Sequence, residues 1–155
     1  MRRSPILILI ALAPAAACGG GGSGDDVPDA GYDCSVETRD DTFVVGLEKI
    51  SPSGIHFRLM QSIPAPPARG DNHFTVQLAD SGSVAMPGAA LQVVPYMPDH
   101  NHGTAVPVVI QESVTVIGEY DVNPVNLHMP GLWEVFMRTS NAPSDEVKFA
   151  FCLSS

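Results

Sequence analysis

Apolar and polar side chains alternate with a period of two along most of this chain, and no stretch carries a sustained apolar period of 3.6 residues. Ile55, Phe57 and Leu59 alternate with His56 and Arg58; Phe74, Val76 and Leu78 alternate with His73, Thr75 and Gln77. Val114, Val116, Tyr120 and Val122 keep one parity, with Gly118 as an irregularity, and so do Trp133, Val135 and Met137. Val147, Phe149, Phe151 and Leu153 form the last such run, and residues 42–50 and 91–97 are two further candidates. Between the runs lie Ser51-Pro52-Ser53-Gly54, Asp80-Ser81-Gly82, Pro87-Gly88 and Pro130-Gly131, all of them turn-forming sequences.

This spacing predicts an all-β protein, an immunoglobulin-like antiparallel β-sandwich of seven or eight strands. The proline-rich residues 63–69 cannot form a central strand, because proline has no N–H to give to a ladder, so they are expected to make a stiff connection, with a crossing between the sheets as one course open to it. Trp133 falls on an inward face and reads as a core anchor. His56 and His73 fall on outward positions and are expected to be solvated. Ile117, Leu132 and Phe136 also have outward parity and would form a patch for a partner if they cluster.

The first residues follow a different pattern. Arg2 and Arg3 precede an apolar stretch at residues 6–12, which ends in Ala15-Ala16-Ala17-Cys18. That is the layout of an export signal, and its apolar run falls short of the roughly 20 residues a spanning helix needs. Cysteine directly after the small residues resembles the bacterial lipoprotein signal, in which this cysteine is lipidated. Residues 1–17 are therefore expected to be a signal peptide and residues 18–31 a lipidated, glycine-rich flexible tether. Residues 32–155 are expected to be one folded domain. The resemblance implies a lipid-anchored protein of the cell envelope that faces the periplasm; Gly19 after Cys18 favours the outer membrane over the inner.

That compartment accounts for the other two thiols. With Cys18 lipidated, Cys34 and Cys152 remain as an even pair in an oxidising space, where disulfides persist. Closing so long a loop stabilises by roughly 4–5 kcal/mol in the chain-entropy model. Cys152 has the parity opposite to Val147, Phe149 and Phe151, so the bridge is expected to run outside the core and pin the N-terminal segment to the last strand. Without Arg2 and Arg3 the formal charge moves from −9 to −11, with 6 basic against 17 acidic residues. So acidic a chain has no electrostatic footprint for nucleic acid.

Hydrolase and oxidoreductase motifs are missing from the sequence, and no enzymatic activity is expected. Met97-Pro98-Asp99-His100-Asn101-His102-Gly103 and His128-Met129-Pro130-Gly131 hold the chemistry that stands out. Thioether sulfur suits Cu(I), and imidazole takes copper in either state as well as zinc. In an extended chain His100 and His102 share a side; His128 would complete a three-nitrogen site if the two segments meet, with Asp99 orienting an imidazole. The competing reading makes Met97 and Met129 core plugs by parity, and the His-x-His loop a polar turn.

Residues 70–139 resemble the YtkA-like, or FixH-like, domain of bacterial envelope proteins. The resemblance rests on Gly70 and Asn72 before Phe74-Thr75-Val76, Pro87-Gly88-Ala89, Met97-Pro98 with His100 and His102, Gly118-Glu119-Tyr120 and Met129-Pro130-Gly131-Leu132-Trp133. It implies a small immunoglobulin-like β-domain outside the cytoplasmic membrane, in a family some of whose members are linked to copper handling. The combined expectation is a lipoprotein that binds copper, or another soft metal, through Met97, His100, His102, His128 and Met129 for sequestration or delivery. The alternative is a metal-free module that engages another envelope protein.

Overall fold

A computed structural model describes residues 31–139 and 145–154. The leader, Cys18 and all of the expected tether except Gly31 lie outside the described residues. The described residues form nine strands: β1 Leu47–Ile50, β2 His56–Ile63, β3 Gly70–Ala79, β4 Leu91–Met97, β5 His102–Gly103, β6 Val109–Glu112, β7 Glu119–Leu127, β8 Gly131–Thr139 and β9 Asp145–Leu153. They form two antiparallel sheets, ordered β1-β2-β3-β7-β6 and β5-β4-β8-β9. Among the described residues, no helix is long and apolar enough to cross a membrane.

The period-two pattern sets the packing. Phe57, Leu59, Phe74, Val76, Leu78, Trp133, Val135, Met137 and Phe149 are all fully buried between the sheets. Phe74 meets Phe151 edge-on across the interface with ring centroids 6.1 Å apart, the offset geometry that aromatic quadrupoles favour. Pro124 lies in a central strand, yet the ladder tolerates it. Asn72 pairs with Val125 and Phe74 with Val122, so a bulge takes up the residue that has no N–H.

Several expectations change. Val114 and Val116 are not strand residues but exposed loop residues, because Ser113 Oγ accepts from Val116 N–H at 3.1 Å and turns the chain before β7 begins at Glu119. Of residues 42–50 only Leu47–Ile50 pairs as a strand. The proline segment joins β2 to β3 within one sheet rather than crossing between sheets. The buried Asn72 holds its end, accepting from Ala68 N–H at 2.9 Å and donating to Ala68 O at 2.8 Å. His56 is half-buried, its Nδ1 3.1 Å from Glu48, and His73 lies 3.2 Å from Asp121, so neither is simply solvated.

Ile117, Leu132 and Phe136 do not form a patch. Ile117 is exposed on the 113–118 loop, Phe136 packs against Tyr96, and Leu132 is fully buried although it faces outward. The N-terminal segment covers the outer face at this end. Cys34 is bonded to Cys152, the cross-strand partner of Leu132, with Cα atoms 5.6 Å apart. Beyond a 3-10 turn at Cys34–Val36 the segment rounds the edge of the sandwich. There Asp41 N–H donates to Ala150 O at 2.7 Å, and Ala150 N–H donates to Asp41 Oδ2 at 2.9 Å. The free edge of β9 is thus partly satisfied by a side chain, which blunts it against pairing with other chains.

Candidate metal centre

The two histidine segments meet at the end of the sandwich where β4 and β7 finish and β8 begins. The first makes a tight turn from β4 to β5, in which Asn101 takes a left-handed conformation with φ 55° and its Oδ1 accepts from the Tyr96 hydroxyl at 2.7 Å. Short polar side chains tolerate this conformation. Gly103 is needed on the return, because a Cβ there would sit 2.9 Å from Pro95 O. Thr104 Oγ1 then donates to Asn126 Oδ1 at 3.1 Å and ties the loop to β7 in the other sheet. His100 therefore reaches His102 through a turn, not through the alternation of an extended strand as expected.

The imidazoles are neighbours. Ring centroids of His100 and His102 are 5.7 Å apart and those of His102 and His128 are 5.8 Å apart. Trp133 forms the wall behind them, with its ring centroid 5.4 Å from His128 and 6.3 Å from His102. Its Nε1–H donates to Met129 O at 2.9 Å, which fixes the turn between β7 and β8 that carries His128. Arg69 Nε donates to His128 O at 3.0 Å on the other side. Met97 is the cross-strand partner of His102, so the two side chains share the inward face. Met97 is fully buried and forms the floor, while Met129 is half-buried against the core. Both methionines thus have the core contacts that parity suggested.

Among the described residues, no group of three or more His, Cys, Asp or Glu is already arranged to hold a metal ion. The donor chemistry nevertheless suits one. His102 Nδ1 lies 3.0 Å from Gly103 O, and since a carbonyl only accepts, this contact in the neutral ring favours the Nδ1–H tautomer, which leaves the Nε2 lone pair for a metal. Imidazoles that share one ion through nitrogens at about 2 Å place their centroids roughly 5–6 Å apart, the spacing found here. His100 and His128 are exposed, and so have room to turn toward a common point.

Asp99 does not orient an imidazole. Its carboxylate takes a two-pronged bond from Arg39, Nη1 to Oδ1 and Nη2 to Oδ2, both at 2.8 Å. Arg39 also grips Glu37, Nε to Oε1 at 2.8 Å and Nη2 to Oε2 at 2.7 Å. The Tyr32 hydroxyl lies between the two carboxylates, 2.8 Å from Glu37 Oε2 and 3.1 Å from Asp99 Oδ2. Hydrogen bonding to Glu37, then burial, then Asp99 push the Tyr32 phenol up to about 12. Hydrogen bonds from Arg39 hold Glu37 and Asp99 below the usual carboxylate range, and Tyr32 adds to both. Nothing in the sequence pointed to this cluster, because Arg39 is 60 residues from Asp99 and belongs to no motif, and Asp99 was legible only as a neighbour of the histidines.

The YtkA-like family model matches residues 51–137, more than half of the chain. The chain belongs to the YtkA-like family. The YtkA-like region runs from the turn before β2 almost to the end of β8 and contains all three clustered histidines. It begins earlier than the resemblance read from the motifs alone. Tyr32, Glu37, Arg39 and both disulfide cysteines lie outside it. No curated protein and no solved structure matches this YtkA-like chain.

Proposed function

We propose that this YtkA-like domain holds a transition-metal ion, copper first, for sequestration or delivery in the cell envelope. The observation that carries the reading is the gathering of His100, His102 and His128 from two separate segments, with the His102 centroid 5.7 Å from that of His100 and 5.8 Å from that of His128. In that role His102 would present Nε2 from a fixed tautomer, His100 and His128 would close from the solvent side, and Trp133 would seal the site from the core. Met129 at the rim and Met97 on the floor offer the thioether sulfur that favours Cu(I). A bound copper ion would supply a cargo or redox centre. The chain's own part is to bind it and limit its exposure. Attachment to the membrane, outer rather than inner, through lipid on Cys18 belongs to the same proposal and rests on the leader pattern alone.

The test is anaerobic titration with Cu(I), Cu(II) and Zn(II) against competing chelators, using the chain from residue 18 onward with Cys18→Ser. Stoichiometric binding that a His100→Ala, His102→Ala variant loses while staying folded is the expected result. No binding tighter than micromolar for any ion would overturn the reading. A metal-free interaction module is the second reading, favoured by the exposed apolar loop at the opposite end of the sandwich, where Val114, Val116 and Ile117 face solvent. It predicts that partner capture depends on Ile117 and is indifferent to the histidines.

A further inference from the structure

We infer that residues 32–39 are a working part of the histidine site and that the Cys34–Cys152 disulfide controls how firmly that site is held. The inference rests on the metal-holding reading and adds its regulation. Three attachments define the segment. Cys34 fastens it to β9. Arg39 and Tyr32 grip Asp99, the residue immediately before His100. The Tyr32 ring packs against Gly131 at the end of the turn that carries His128, its Cδ2 3.5 Å from where a Cβ on Gly131 would lie. One short segment thus braces both histidine-bearing turns from outside, and Arg39 and Tyr32 act as positioning residues.

The attachments differ in strength. Arg39 is about half exposed, at 48%, and Asp99 is one-third exposed, at 33%, so solvent and salt screen the pair despite its two-pronged geometry, and they do not screen a covalent bond. The covalent bond is what keeps the segment in place long enough for those contacts to persist. Reduction by a dithiol supplies two electrons and two protons: the Cys34–Cys152 bond becomes two thiols while the reductant's own pair closes to a disulfide. Access exists, since both cysteines are only partly buried and two cavities border this region, one of about 190 Å³ lined by Tyr32, Asp33, Val36 and Glu37 and one of about 340 Å³. The second of these, about 340 Å³, is lined by Pro66, Pro67, Phe151 and Cys152 among others. Freed from the staple, the segment releases Asp99 and Gly131, and the imidazoles lose their common placement.

The experiment compares the chain from residue 18 onward, carrying Cys18→Ser, in its oxidised form and after reduction, alkylation and removal of reductant. Cu(II) affinity is measured by chelator competition, and amide hydrogen exchange at residues 97–103 is followed without metal. We expect Cu(II) binding at least about tenfold weaker in the alkylated form, with faster exchange across the loop. Arg39→Ala with the disulfide intact should reproduce both changes, and Arg39→Lys should restore them only partly, since ammonium cannot form the two-pronged bonds. Equal exchange and equal affinity in the two redox forms would overturn the inference. If neither form binds metal, the functional reading fails, and the exchange comparison alone then decides the coupling. If the alkylated protein unfolds, oxidised Arg39→Ala decides it, and unchanged loop exchange there refutes the brace.

Discussion

Replacing Gly131 with alanine tests the architecture of the histidine end most directly. Gly131 has φ +126°, a backbone conformation that side chains rarely adopt, and holding alanine there costs roughly 1–3 kcal/mol. A Cβ on it would also run into Met97 Cε and lie 3.5 Å from Tyr32 Cδ2. A methionine end can swing away, but Met97 is fully buried, so it can do so only by displacing its neighbours in the core. Overpacking of that kind costs about 1–3 kcal/mol more. Gly131→Ala should therefore lose about 2–6 kcal/mol, a large part of the roughly 5–15 kcal/mol available to a domain. Urea unfolding with the disulfide intact measures it. A loss under about 1 kcal/mol would refute both the strained backbone and the close approach. Met97→Leu, which withdraws the terminal methyl at a cost of less than about 1.5 kcal/mol alone, should recover part of the loss. A double-mutant cycle with no coupling would mean that Met97 is not the obstacle.

Two further outcomes follow from the polar contacts. Glu37, Asp99 and Asp145 are all held below the usual carboxylate range, the first two chiefly by Arg39 and the last by the hydroxyls of Ser53 and Ser51. Depressed carboxylates stabilise the folded state fully above their unfolded values of about 4, and that contribution is lost as pH falls through the folded values. Stability measured by urea at stepwise pH should thus be level near neutrality and fall in acid; Arg39→Ala should flatten that fall, and an unchanged acid limb would refute the clamp. Tyr120 is buried, its hydroxyl donating to Met86 O at 2.7 Å and accepting from Ala89 N–H at 2.9 Å. Tyr120→Phe leaves both backbone groups unsatisfied and should cost about 1–3 kcal/mol in thermal or urea unfolding, whereas a neutral result would place that hydroxyl in water.

The strands whose two faces meet different surroundings were legible in the sequence. In β2, β3, β8 and β9 one face meets the core, so Phe57, Phe74, Trp133 and Phe149 announce themselves by alternation alone. The reading failed where a residue's surroundings come from elsewhere in the chain. Val114 and Val116 have strand parity, but Ser113 bonds the local backbone and wins. Leu132 has solvent parity, but a segment about a hundred residues earlier covers it. The histidines of the site were visible as a composition, and so was the condition that their two segments meet. Arg39 and Glu37, which brace them, were not visible, because the meaning of an ion pair depends on its partner's position and not on spacing.

The sequence by itself determined the sheet class, the faces of the long strands, the YtkA-like resemblance and the pairing of the two thiols left once Cys18 is set aside. These follow from local periodicity, motif and count, each of which a chain carries before it folds. Only the tertiary structure decided that Asn101 and Gly103 turn His100 and His102 toward His128, and that Asp99 faces Arg39 instead of an imidazole. It alone brought the N-terminal segment against the two histidine-bearing turns. Those are long-range contacts, set by how two sheets pack and by which loop the chain's first residues meet when the sandwich closes.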